Sequence, residues 1–260
     1  MEEIIKIKNQ GYAEYEELLL ERDQIRKEAG LLKIAYTKIF GELIARLFEM
    51  KITCIKKKKI LHFCQAEANK GKTVDLDAMM AQINREMREY DRKLAQMIAE
   101  NNAANASDHI GVETLAKIKK LYHRLAKMLH PDINPKTDVN PQLKQLWHMI
   151  VVSYNANNLE ELEAAEVLVK KALENAGWET IEIEIDDLPG KIQKVRDEMM
   201  TIKGKNPYQY KFLLENEKAV EEKKESLQRE MQEYAEYEKE LDALMDQFLT
   251  GEVDFKWTMK

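Results

Sequence analysis

Apolar residues recurring in steps of four and three constrain this chain more than any other feature. Ile25, Ala29, Leu32, Tyr36, Ile39 and Leu43 keep that rhythm, and Leu76, Met80, Ile83, Met87, Tyr90, Leu94 and Met97 repeat it. The pattern lays one apolar stripe along a helix and calls for a second helix to cover it, as in a coiled-coil seam. Breakers are scarce, with 9 Gly and 5 Pro in 260 residues, so the helices run long. The first is predicted from Tyr12 to about Ala68, with a phase slip after Leu43 where Leu47, Met50 and Cys54 follow. Asn69 to Asp75 supplies a stop at Gly71 and a new cap at Thr73 or Asp75. The second helix fades where periodicity is lost between Glu100 and Ser107. After a tail over 1–11, residues 12–103 are therefore read as a long helical hairpin.

Residues 108–176 form a third block, with helices through Leu125, through Leu146 and Ile150, and from Leu159 to Ala176. Residues 177–187 make an extended connector in which Thr180 to Ile185 alternates with period two. Val253, Phe255 and Trp257 alternate likewise, which pairs the two segments as short strands. A second helical hairpin is expected over 188–250, turning at Gly204 to Pro207, before a tail over 251–260. The fold class is all-α: elongated antiparallel coiled-coil hairpins plus a small helical module. The helix after Asp75 reaches only the later half of the first arm. The stripe from Tyr15 to Leu43 then needs the terminal helix, or a second copy of the chain as a homodimer, to cover it.

Charge and cysteine usage narrow the function. Net charge is -6, which disfavours non-specific nucleic-acid binding by the chain as a whole. The run Lys56 to Lys59 is read as a solvated helix face in preference to a nucleic-acid or lipid patch. Cys54 and Cys64, ten residues apart on one helix, are about 15 Å apart and form no bridge, as suits a reducing compartment. No signal segment or membrane span is read, and a cytoplasmic location is expected. Asn69 to Thr73 lacks the first glycine of a phosphate loop, and Asn105-Ala-Ser107 is a glycosylation acceptor only in a secreted chain. His123, His130 and Asp132 lack metal-ligand spacing. No nucleophile and base stand in a catalytic arrangement, so no enzyme activity, cofactor or metal is expected.

The segment Ile118 to His130, followed by Pro131 and Asp132, carries the sharpest functional signal. Ile118, Leu121, Tyr122, Leu125 and Leu129 share one helix face, while Lys117, Lys120, Arg124 and Lys127 mark a basic one. Pro131 disfavours helical geometry at His130 and cannot continue the helix itself. The expectation is an exposed turn presenting His130 and Asp132.

Lys119, Lys120, Tyr122, Arg124, Leu125 and Ala126, with His130, Pro131, Asp132 and Asn134 in register, resemble the J domain of DnaJ-type co-chaperones. Trp147, Ile150 and Tyr154 match the positions that family uses to hold its helical hairpin together. The resemblance implies two antiparallel helices presenting a His-Pro-Asp loop, with the basic helix docking on a seventy-kilodalton DnaK-type chaperone and the loop promoting ATP hydrolysis there. It assigns chaperone binding to Lys119, Lys120, Tyr122, Arg124, Lys127, His130, Pro131, Asp132 and Asn134. The cations would steer and orient a transient partner, and Asp132 would accept charge-assisted hydrogen bonds from a partner cation. The chain departs from the family at Asp108 to Val112, where the usual opening helix is missing, at Ile133, commonly Arg, and at His123. The implied function is a co-chaperone whose coiled-coil arms bind a client or complex. The alternative is a coiled-coil scaffold with a purely structural J-like module. A further expectation is that the acidic helix of residues 207–249 shields the basic face near Lys120 and Arg124.

Overall fold

The structure, a computed structural model, describes residues 5–7, 11–107, 110–175, 181–183 and 187–250. Its elements are β1 (Ile5–Ile7), α1 (Tyr12–Asn69), α2 (Leu76–Ala106), α3 (Val112–Leu129), α4 (Lys136–Val139), α5 (Pro141–Asn155), α6 (Leu159–Asn175), β2 (Ile181–Ile183), α7 (Leu188–Lys203), α8 (Tyr210–Leu214) and α9 (Glu217–Thr250). The fold is all-α apart from β1 and β2. The chain divides into two compact units, one of residues 1–32 and 108–209, the other of residues 33–107 and 210–260.

In the second unit, α1 and α2 are joined by a tight turn. Gly71 adopts φ +66°, and the Lys72 amide donates back to the Glu67 carbonyl, closing the helix end where only glycine is unstrained. Asp75 then caps α2 by accepting from the Ala78 amide at 3.0 Å. Ile52 of α1 and Met79, Ile83 and Met87 of α2 form the seam, with Phe48, Phe63, Tyr90 and Leu94 around them. Met79, rather than the expected Met80, enters it; Met80 is 40% exposed. A straight helix has 3.6 residues per turn, so a strict four-three reading drifts off the buried face. The same drift puts Phe40 in the core and leaves Ile39 outside. Phe40 and Leu47 pack on Leu227 of α9, beside Leu213 and Leu214 of α8. The lysine run is drawn into this packing: Lys57 pairs with Glu238 and Asp242, and Lys59 with Glu86.

The first unit is built on α3, α5 and α6. Ile118, Leu125, Leu129, Ile150, Leu162 and Val169 are completely buried in one cluster, into which Leu20 of α1 also projects. A second cluster joins Tyr15, Leu19 and Ile25 of α1 to Ile133 and to Leu188, Val195 and Met199 of α7. The apolar stripe of α7 covers the start of α1, whereas the stripe of α9 covers residues farther along it. Parts of the stripe from Tyr15 to Leu43 are thus covered within the chain, while Ile39 stays 39% exposed.

The strand at Ile181–Ile183 pairs with Ile5–Ile7, in parallel, with Ile5 opposite Ile181 and Ile7 opposite Ile183. Part of the expected N-terminal tail is thus a strand. The partner expected at Val253 to Trp257 lies outside the described residues.

Candidate functional site: the His-Pro-Asp corner

α3 stops where Pro131 requires it. His130 caps the helix in extended geometry, φ -60° and ψ 126°, and its amide donates to the Ala126 carbonyl at 2.8 Å. The chain then turns tightly, the amides of Ile133 and Asn134 both returning to the His130 carbonyl. Asn134 braces the loop from inside: its side-chain amide donates to the Met128 carbonyl at 2.9 Å, and its oxygen accepts from the Lys136 amide. α5 begins at Pro141 under a cap from Asn140, which accepts from the Gln142 and Leu143 amides.

Two ring pairs set how α3 and α5 lie together. Tyr122 stacks on Tyr154, centroids 3.8 Å apart, and His130 meets Trp147 edge-on at 5.0 Å. Advancing along α3 from Tyr122 to His130 means moving back along α5 from Tyr154 to Trp147, so the two helices are antiparallel. The Lys27 ammonium lies 3.7 Å from the centre of the Tyr154 ring and donates to the Tyr154 carbonyl. Burial brings its pKa down to about 8.

The residues singled out in the sequence fall into two groups. Lys119, Lys120, Arg124, Lys127 and Asp132 are exposed, and Pro131 is half-buried. Tyr122, His130 and Asn134 are not exposed, which corrects the expectation of an open turn: His130 is 5% accessible and Asn134 is completely enclosed. Asn134 is enclosed by its own loop and Tyr122 by Tyr154, while the His130 ring lies between Trp147 and the first four turns of α1. Arg22 brings Nη2 to 3.3 Å from His130 Nε2 and Nη1 to 3.8 Å from the Asp132 carboxylate. Asp23 accepts from the Tyr122 hydroxyl at 2.7 Å, binds Arg22 at 3.0 Å and stands 3.8 Å from His130 Nε2. Glu198 of α7 completes the cluster by pairing with Arg22 and Arg26. Beyond it, Lys127 pairs with Glu16 and Arg124 with Glu166. Within the first unit the acidic partners of the basic helix are therefore Glu16 and Glu166; in the second unit Glu230, Glu238 and Asp242 of α9 pair with Lys51 and Lys57.

The imidazole of His130 is imperfectly satisfied. Nδ1 accepts from the Asp132 amide at 3.1 Å, while Nε2 faces the guanidinium, which can only donate. With Nδ1 accepting, the Nε2 hydrogen lies between the guanidinium at 3.3 Å and the Asp23 carboxylate at 3.8 Å. Burial holds the His130 pKa below the usual range, with Arg22 and Arg26 pushing the same way against Asp23 and Asp132. Burial also lowers His123, helped by Lys119 and Lys127. No protein-family model, curated protein or solved structure matches the chain. Among the described residues, no three metal-ligating side chains are grouped to hold an ion, no helix is long and apolar enough to cross a membrane, and Cys54 and Cys64 are free.

A pH dependence follows from the two histidines. Both have folded pKa values below the unperturbed ~6.5, so the unfolded chain binds the extra protons. Their contribution is fully present above pH ~6.5 and is lost as pH falls through the lower folded values. Urea midpoints measured from pH 7.5 to 5 should fall, less steeply in His130→Gln. Midpoints that rise on acidification would contradict the assignment.

Proposed function

We propose that the chain is a J-type co-chaperone that engages a DnaK-type seventy-kilodalton chaperone through the corner at His130, Pro131 and Asp132 and stimulates its ATP hydrolysis. The observation that carries this reading is the antiparallel pair of α3 and α5, pinned by Tyr122 on Tyr154 and His130 on Trp147, with the tripeptide at the end of a basic helix. Lys119 and Lys120 are exposed, and the Asp132 side chain is 48% exposed. Cations so placed raise the rate and set the orientation of encounter with an acidic surface. Asp132 can accept a charge-assisted hydrogen bond from a cation on the partner. Tyr122 and Asn134 serve the site from within, holding the hairpin and the loop. In this reading the coiled-coil arms would bind a client or complex through their outer faces, and a cytoplasmic location suits the two free cysteines.

One observation favours a second reading, a coiled-coil scaffold whose J-like module is only structural: the burial of His130 beneath Arg22. Single-turnover ATP hydrolysis by a DnaK-type chaperone, titrated with the purified full-length chain, separates the two. Acceleration that saturates with wild type and is reduced at least tenfold in Asp132→Asn is the expected result. No acceleration at any concentration, or equal acceleration by both proteins, would favour the scaffold.

A further inference from the structure

We infer that residues 12–26 of α1 are a built-in stand-in for the chaperone, holding the His-Pro-Asp corner closed until they are displaced. This rests on the co-chaperone reading and adds the regulation of that same site. The charges on this stretch of helix answer those of the surface it covers. Glu16 meets Lys127, Arg22 meets Asp132 and His130, and Asp23 meets the Tyr122 hydroxyl. These are the interactions an outside partner would need to make. Arg22 is 8% exposed, so the covering side brings a cation out of water to sit at the corner, which apolar packing alone would not require.

Two features mark the contact as one that can part. A solvent-open cleft of about 340 Å³ runs between α1 and α3, lined by Glu16, Leu20, Gln24, Lys119, His123 and Lys127 among others. Buried Nε2 of His123 and Oε1 of Gln24 have no protein hydrogen-bond partner, whereas buried polar atoms are ordinarily matched. The apolar side of the contact rests on Ile133, which Tyr15 and Leu19 of α1 clamp together with Leu188, Val195 and Met199 of α7. Exposed Lys119, Lys120 and Asp132 leave an incoming chaperone a first foothold beside the covered ring.

The test separates covering from chaperone coupling. Carbethoxylation of His130 by diethyl pyrocarbonate, mapped by mass spectrometry on the full chain, reads the covering with no chaperone present. Glu16→Lys turns an ion pair into a repulsion and should raise that reactivity about three- to fivefold. Glu16→Lys/Lys127→Glu should return it to the wild-type value, which excludes general unfolding as the cause. In the chaperone assay, Glu16→Lys should reach half-maximal stimulation at a concentration lower by a similar factor. Unchanged His130 reactivity in Glu16→Lys would overturn the covering. Raised reactivity without stimulation by any variant would instead remove the co-chaperone reading, and with it the regulatory meaning of the cover.

Discussion

Ile133→Arg should detach the start of α1 from the corner while leaving the core of α3, α5 and α6 folded. Ile133 is completely buried and shares one cluster with Tyr15 and Leu19 of α1 and with Leu188, Val195 and Met199 of α7. An arginine there must either carry an unpaired charge into that cluster or swing out and abandon it. Lost burial of the isoleucine and the desolvation it avoids together amount to about 3 kcal/mol or more. Hydrogen exchange over residues 12–26 should accelerate roughly a hundredfold, because 1.4 kcal/mol corresponds to a factor of ten and a detached helical end is marginal by itself. The amides of Leu125 and Ile150, in the other cluster, should keep their protection. Equal acceleration throughout the first unit would mean that α1 is an inseparable part of its core.

Removal of Asp23 should rank next in effect. Its carboxylate receives Arg22 through Nε and Nη2 and the hydroxyl of Tyr122, with its side chain 11% exposed. Asp23→Ala leaves a buried phenol without its acceptor and a buried guanidinium with only the longer contacts to Glu198 and Asp132, a loss on the order of 3 kcal/mol by analogy with broken buried pairs. Arg22→Met/Asp23→Leu removes both charges and should restore most of that stability, since a desolvated pair is worth little against apolar residues of similar volume. Chemical denaturation of the two singles and the double gives the coupling directly. A loss below about 1 kcal/mol for Asp23→Ala would show that the cluster is wet.

The two predictions rest on residues of very different legibility. Helix positions were readable because the rhythm of apolar residues reports a buried face wherever it falls. Pro131 made the end of α3 readable, since its ring forbids continuation. The partners of each stripe were not readable: α7 and α9 both carry apolar faces, and nothing local distinguishes the stretch of α1 that suits each. The same holds for Ile181–Ile183, whose parallel partner lies far back in the chain, because strand pairing is decided by tertiary placement.

The cover over the corner did leave a trace. Tyr15, Arg22, Ala29, Tyr36 and Leu43 are spaced by sevens, so Arg22 is a charge standing in an apolar heptad position, and such residues commonly specify a partner. Ile133 is the second trace. An apolar residue beside a motif that ought to face solvent is a residue waiting for something to bury it. Taken together the two point to contact between α1 and the loop, a link that neither periodicity nor motif matching examines.

Chaperone turnover in the presence of the opened chain is the most direct measurement. ATP hydrolysis by a DnaK-type chaperone should be accelerated by Ile133→Arg at concentrations well below those the wild type needs, and not by Ile133→Arg/Asp132→Asn. Acceleration that survives loss of the Asp132 carboxylate, or its absence from a chain whose residues 12–26 have been shown to detach, would contradict a functional His-Pro-Asp corner.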